Sequence, residues 1–73
     1  MKIKMFKTTK ETKRFSKNQK VFITKVDDAC FHIKFKYRGK NRYVKGTIGK
    51  HHKAIGEIKE IDIDEDFYKR LMS

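Results

Sequence analysis

The chain has no proline, one cysteine and only nine acidic residues among 73. Each shortage excludes something. With no proline-rich or low-complexity tract there is no obvious linker, and a chain of this length makes one small domain at most. A lone cysteine forms no internal disulfide, and no thiolate metal site is expected from it, which fits a reducing compartment. The N-terminus MKIKMFKTTKETKRF is basic but carries no apolar run of signal-peptide length. No segment is apolar for long enough to span a membrane. A cytoplasmic protein is therefore expected. Catalytic signatures are also missing, so no enzyme activity, no catalytic residue and no cofactor is expected.

What the chain has is positive charge. Twenty Lys and Arg give a net charge of +11. The excess is uneven: +7 over residues 1–20, +7 over 21–56 and −3 over 57–73. A small domain this basic is drawn to polyanions whatever its fold. The hydrophobic fraction is 37%, rich in Phe, Ile, Val and Tyr, which suits sheets and a modest core rather than disorder.

The clearest element is CFHIKFKYR. Phe31, Ile33, Phe35 and Tyr37 alternate with His32, Lys34, Lys36 and Arg38, which is the period of a strand with one buried face. RGKN then reads as a turn, with Gly39 suited to positive φ, and RYVKGTI returns. In the expected register Lys36 faces Tyr43, Phe35 faces Val44 and Lys34 faces Lys45. One side then holds Phe31, Ile33, Phe35, Val44, Gly46 and Ile48; the other holds His32, Lys34, Lys36, Arg38, Tyr43, Lys45 and Thr47.

Elsewhere KVFITKV reads as a strand and VDDA as a turn. A two-residue turn at Asp27–Asp28 puts Phe22, Thr24 and Val26 on the core side. Val21 and Ile23 then lie beside Lys34 and His32, and Cys30 lies opposite Lys25. KIKMFK is a short strand pattern, and TTKETKRFSKN reads as a loop or mobile arm. AIGEIKEIDI is a strand whose apolar parity shifts, so a bulge or late start is expected near Lys59–Glu60. Asp64 caps a short helix over about residues 64–72, with Glu65 and Asp66 at its positive end and Lys69 and Arg70 at its negative end. The expected organisation is a basic strand and arm at 1–18, then a single β-rich domain at 19–73. Its fold class is mainly β with a short C-terminal helix, an antiparallel meander or SH3/OB-like barrel of four to five strands.

The hairpin KFKYRG, Lys34 to Gly39, resembles a segment of the small basic chromatin proteins of Sulfolobus. In that family SH3-like barrels bind duplex DNA through a sheet, and the resemblance implies such a use here. It covers six residues, and it lies centrally rather than near the N-terminus as in that family, which points to convergence on a basic hairpin.

The expected function is nucleic-acid binding, DNA or RNA, directed mainly at phosphates with weak sequence selectivity. The candidate surface is Lys34, Lys36, Arg38, Lys40, Arg42, Tyr43 and Lys45, with Tyr43 available to stack on a base. Lys13 and Arg14, with Lys10 and Lys17, add phosphate contacts from the arm. The alternative is a small interaction or inhibitor protein of a mobile element. It would grip an acidic partner surface, helped by the apolar Val21 and Ile23 and an exposed strand edge. No membrane partner is expected, because the N-terminal segment lacks large apolar residues at helical spacing.

Other motifs read as ordinary. His51 and His52 sit between lysines that repel a cation, so a solvated loop is expected rather than a metal site. The acidic cluster in IDIDED lacks the spacing of a calcium loop. GTIGKHHK lacks the spacing and following hydroxyl of a phosphate loop. His32 has no partner identifiable in the sequence for acid–base work.

Overall fold

The alternation along CFHIKFK sets an inner strand of a five-stranded antiparallel sheet. The computed structural model describes residues 1–38 and 40–73. The elements are β1 (Lys2–Lys7), β2 (Lys20–Val26), β3 (Cys30–Lys36), β4 (Tyr43–Gly49), β5 (Lys59–Asp62) and α1 (Glu65–Met72). The sheet order is β4-β3-β2-β1-β5, so the first four strands form a meander and β5 returns beside β1. The two ends of that order are unpaired with each other. The sheet is open, and the meander describes it where a closed barrel does not. No helix among the described residues is long and apolar enough to cross a membrane.

The β3–β4 register is the expected one: Lys36 opposite Tyr43, Phe35 opposite Val44, Lys34 opposite Lys45 and Ile33 opposite Gly46. In the turn between them the Lys40 amide donates a hydrogen bond to the Tyr37 carbonyl at 2.8 Å. The positive φ expected at Gly39 lies outside the described residues. β5 begins late, at Lys59, while Ile55 makes only an isolated bridge to Thr8.

The β2–β3 register differs from expectation. Val21 lies opposite Phe35 and Ile23 opposite Ile33, both in the core, while Phe22 lies opposite Lys34 on the other face. Two features cause this. Val26 pairs with Phe31, so the turn spans Asp27–Cys30, closed by the Asp27 amide donating to the Cys30 carbonyl at 3.0 Å. That longer loop alone would keep the expected faces. The pairing also shifts between Ile23 and Lys25, and the extra residue, Thr24, flips every side chain before it. Cys30 lies in the longer turn, so Lys25 faces His32 rather than Cys30.

The bulge lets the run Val21-Phe22-Ile23 feed two cores. On one face Phe6, Val21, Ile23, Ile33, Phe35 and Ile48 are covered by Phe15 from the loop after β1. That loop is held by polar contacts. The buried Thr8 hydroxyl donates to the Ser16 carbonyl at 2.5 Å and accepts from the Gln19 amide at 2.9 Å. Thr12 Oγ1 accepts from the amides of Arg14 and Phe15, and the Phe15 ring meets Phe35 edge-on at 4.7 Å. Gly46 serves this packing: a Cβ there would lie 3.0 Å from the Phe35 ring.

On the second face Ile3, Met5 and Phe22 are covered by α1 through Phe67 and the fully buried Leu71. Asp64 Oδ1 accepts from the Phe67 amide at 2.7 Å, and Glu65, Asp66, Lys69 and Arg70 sit at the ends whose dipole each suits. Eight residues make too short a helix to persist unless docked.

Leu71→Ala should therefore lower unfolding free energy by about 3 kcal/mol, and Asp64→Ala by about 1 kcal/mol. Urea denaturation followed by circular dichroism measures both; equal effects of the two would contradict docking as the main support of α1.

Candidate functional site

Strand alternation places His32, Lys34 and Lys36 of β3 and Tyr43, Lys45 and Thr47 of β4 on the same face as α1. The helix covers only part of this face. Its end reaches β3, where Lys34 Nζ donates to the Ser73 carbonyl at 3.3 Å, a cation at the negative helix terminus.

Clefts open on either side of that contact. One, of about 620 Å³, is lined by Thr24, Lys25, His32, Lys34, Lys45, Met72 and Ser73. The other, of about 390 Å³, is lined by Lys36, Asn41, Arg42, Tyr43, Phe67, Arg70 and Ser73. Together they present six cations, and no Asp or Glu lines either one. Clefts elsewhere on the surface include Glu60 or Glu57 in their walls. Nearby Lys59, Glu60 and Asp62 give the β5 side mixed charge.

Tyr43 takes a different position from the one its sequence suggests. Its ring does not stand alone among lysines. It packs edge-on against Phe22 at 6.0 Å and Phe67 at 5.9 Å, and Phe22 meets Phe67 at 5.4 Å. Lys36 Nζ sits 5.5 Å from the Tyr43 ring centroid. Tyr43 is thus half-buried and forms a wall of the second cleft.

The sequence-derived set divides between the two sides of the sheet. Lys34, Lys36, Arg42, Tyr43 and Lys45 gather around α1. Arg38 is tied to the other side: it pairs with Glu11 and donates to the Thr12 carbonyl at 3.2 Å. Arg14 lies over the rings of Phe15 and Phe35 and donates to the Thr47 carbonyl at 3.0 Å. Lys13 is exposed on that same loop, and Lys40 is exposed in the β3–β4 turn. Lys25 and Arg70 join the clefts although the sequence did not single them out. Lys25 arrives opposite His32 through the longer Asp27–Cys30 turn, and Arg70 reads in sequence only as a helix-end charge.

A second constellation lies at the β2–β3 turn. His32, which had no visible partner in the sequence, hydrogen-bonds through Nε2 to Asp27 Oδ2. The Cys30 thiol stands in the same group, with the three potential ligand atoms all within 4.8 Å of one another. The spacing Asp-x-x-Cys-x-His signals this only if the turn is known to run from Asp27 to Cys30. The hydrogen bond from His32 is the main reason the Asp27 carboxyl titrates below the usual carboxylate range, with Lys25, His32 and Lys50 charges assisting and desolvation opposing.

The chain matches no protein-family model, no curated protein and no solved structure. Its functional reading rests on this geometry and charge.

Tyr43→Ala should destabilise the fold by about 2 kcal/mol because it removes two ring contacts, whereas Tyr43→Phe should cost less than about 1 kcal/mol. Thermal or urea unfolding of both variants checks this. The depressed Asp27 pKa adds stability that is fully present above the unfolded-state pKa and is lost as pH falls through the lower folded-state value. The stability gap between wild type and Asp27→Asn should therefore be constant near neutrality and narrow in acid. A gap that stays constant down to acid pH would show that the carboxylate is not held this way.

Proposed function

We propose that this protein is a small basic nucleic-acid-binding module that grips phosphates through the two clefts beside α1. The observation that carries this reading is their lining: Lys25, Lys34 and Lys45 on one side of the helix end and Lys36, Arg42 and Arg70 on the other, with no carboxylate side chain in either wall. Solubility alone favours mixed signs, as on the β5 side. Five of the six are held on strands or the docked helix, with less freedom than cations on a loose arm, so less entropy is lost on contact with a strand.

The role of Tyr43 in this reading is to set the depth of the second cleft and hold Lys36 upright, rather than to stack as an isolated ring. Arg14 and Arg38 contribute by fastening the loop on the opposite face. Val21 and Ile23, which would have helped an acidic protein partner, are buried. Selectivity for sequence should be weak, since phosphate contacts carry no base information.

Titration of labelled duplex and single strands at several salt concentrations tests the reading. Engagement of all six cations predicts a slope of log K against log salt of about −5 on duplex, and Lys36→Gln with Arg42→Gln should reduce it by about 2. Absence of binding at low salt would overturn the proposal. A partner retained after nuclease treatment in a pull-down would favour an acidic protein surface instead.

A further inference from the structure

We propose that Asp27, Cys30 and His32 form a binding site for one zinc-type divalent ion, supplied with one carboxylate oxygen, one thiolate sulfur and one imidazole nitrogen. The three ligand atoms already lie within 4.8 Å of one another. Ligands of a tetrahedral zinc site are about 3.3–3.8 Å apart, given metal–ligand bonds of about 2.0–2.3 Å. The ion would replace the hydrogen bond that now joins His32 Nε2 to Asp27 Oδ2, with those two atoms moving apart to ligand spacing.

The backbone that carries them is fixed from several directions. Cys30 pairs with Gly49 and His32 with Thr47 in the β3–β4 ladder, and Lys25 lies opposite His32 in β2. The Asp27 amide donates to the Cys30 carbonyl, closing the turn that brings these two residues together. The Lys50 amide holds the Ala29 carbonyl at 3.4 Å, tying the same turn to the end of β4. Such support is what places ligands before the ion arrives.

The donor set also selects the ion. Calcium and magnesium require oxygen ligands, whereas a mixed sulfur, nitrogen and oxygen set suits zinc. Asp27 and a Cys30 thiolate supply two negative charges for a divalent ion. Lys25 Nζ lies 3.9 Å from Asp27 Oδ1. It opposes the ion's charge but can anchor the carboxylate oxygen that does not ligate. All three residues are half-buried, so an ion reaches them directly from solvent. Three protein ligands leave one tetrahedral position for water. The adjacent pair His51 and His52 is a different feature: both are exposed, and His52 Nδ1 already accepts from the Ala54 amide at 3.0 Å.

Cobalt titration of the full chain, with Co²⁺ as the probe and Zn²⁺ as competitor, tests the site. The expected result is saturation at one equivalent. A thiolate-to-cobalt charge-transfer band and tetrahedral d–d bands should appear and be abolished by zinc. Cys30→Ser should remove the charge-transfer band, and His32→Gln and Asp27→Asn should each weaken binding at least tenfold. His51→Gln with His52→Gln should leave the spectrum unchanged. In wild type, independent of any variant's folding, zinc should slow alkylation of Cys30 at least tenfold. Absence of the charge-transfer band, its persistence in Cys30→Ser, its loss in the His51/His52 variant, or alkylation indifferent to zinc would each overturn the site. The test does not depend on how the basic clefts are used.

Discussion

The triangle of Phe22, Tyr43 and Phe67 is the contact on which the helix-bearing side of this protein depends. One ring comes from β2, one from β4 and one from α1, so the cluster ties the centre of the sheet, its edge and the helix together. Edge-on aromatic pairs contribute about 0.5–1.5 kcal/mol each beyond their burial. Three of them are a large share of the roughly 4–11 kcal/mol of net stability typical of a domain this size. The same docking decides where the basic surface lies. The helix covers Ile3, Met5 and Ile61 and stops over Lys34, which divides the remaining cations into two clefts. The clefts are therefore made by helix placement as much as by the hairpin that carries most of their charge.

The opposite face is closed by different means. A loop with one aromatic residue covers it, and that ring is effective because polar contacts hold the loop around it. Thr8 and Thr12 fasten the backbone, Phe15 enters the core, and Arg14 lies over two rings while bonding to β4. Two of the chain's arginines, Arg14 and Arg38, are thus occupied internally. Net charge counted from the sequence overstates what the surface can offer an anion, and it does so unequally on the two faces.

How much of this was legible in the sequence follows from the range over which each feature is decided. The β3–β4 hairpin was legible because strict alternation over eight residues fixes the faces, and even a change of two in loop length preserves them. The helix was legible through its cap, its end charges and its four-residue apolar spacing. The Thr24 bulge was not, since an apolar run such as Val21-Phe22-Ile23 fits either face until both are known to be covered. That one residue moved Val21 and Ile23 into the core, while the longer Asp27–Cys30 turn brought Lys25 opposite His32. The charge of the clefts was partly foreseen, while Lys25, Arg70 and the Asp27–Cys30–His32 group were not. Those depend on register and docking, which local sequence does not encode.

The pairing of Lys34 with Lys45 shows how fold and proposed use meet in one ladder position. Two like charges directly opposite on neighbouring strands are unfavourable. At about 5 Å in water their repulsion is under about 1 kcal/mol, so a well-packed sheet tolerates it. The Ser73 carbonyl eases it further by drawing Lys34 toward the helix end. A phosphate placed between the two lysines would replace repulsion with two attractions, and that gain would appear both as affinity and as added stability of the folded state. A face assembled this way costs the unbound protein little and favours the bound one at a position where the β-ladder sets two cations opposite each other.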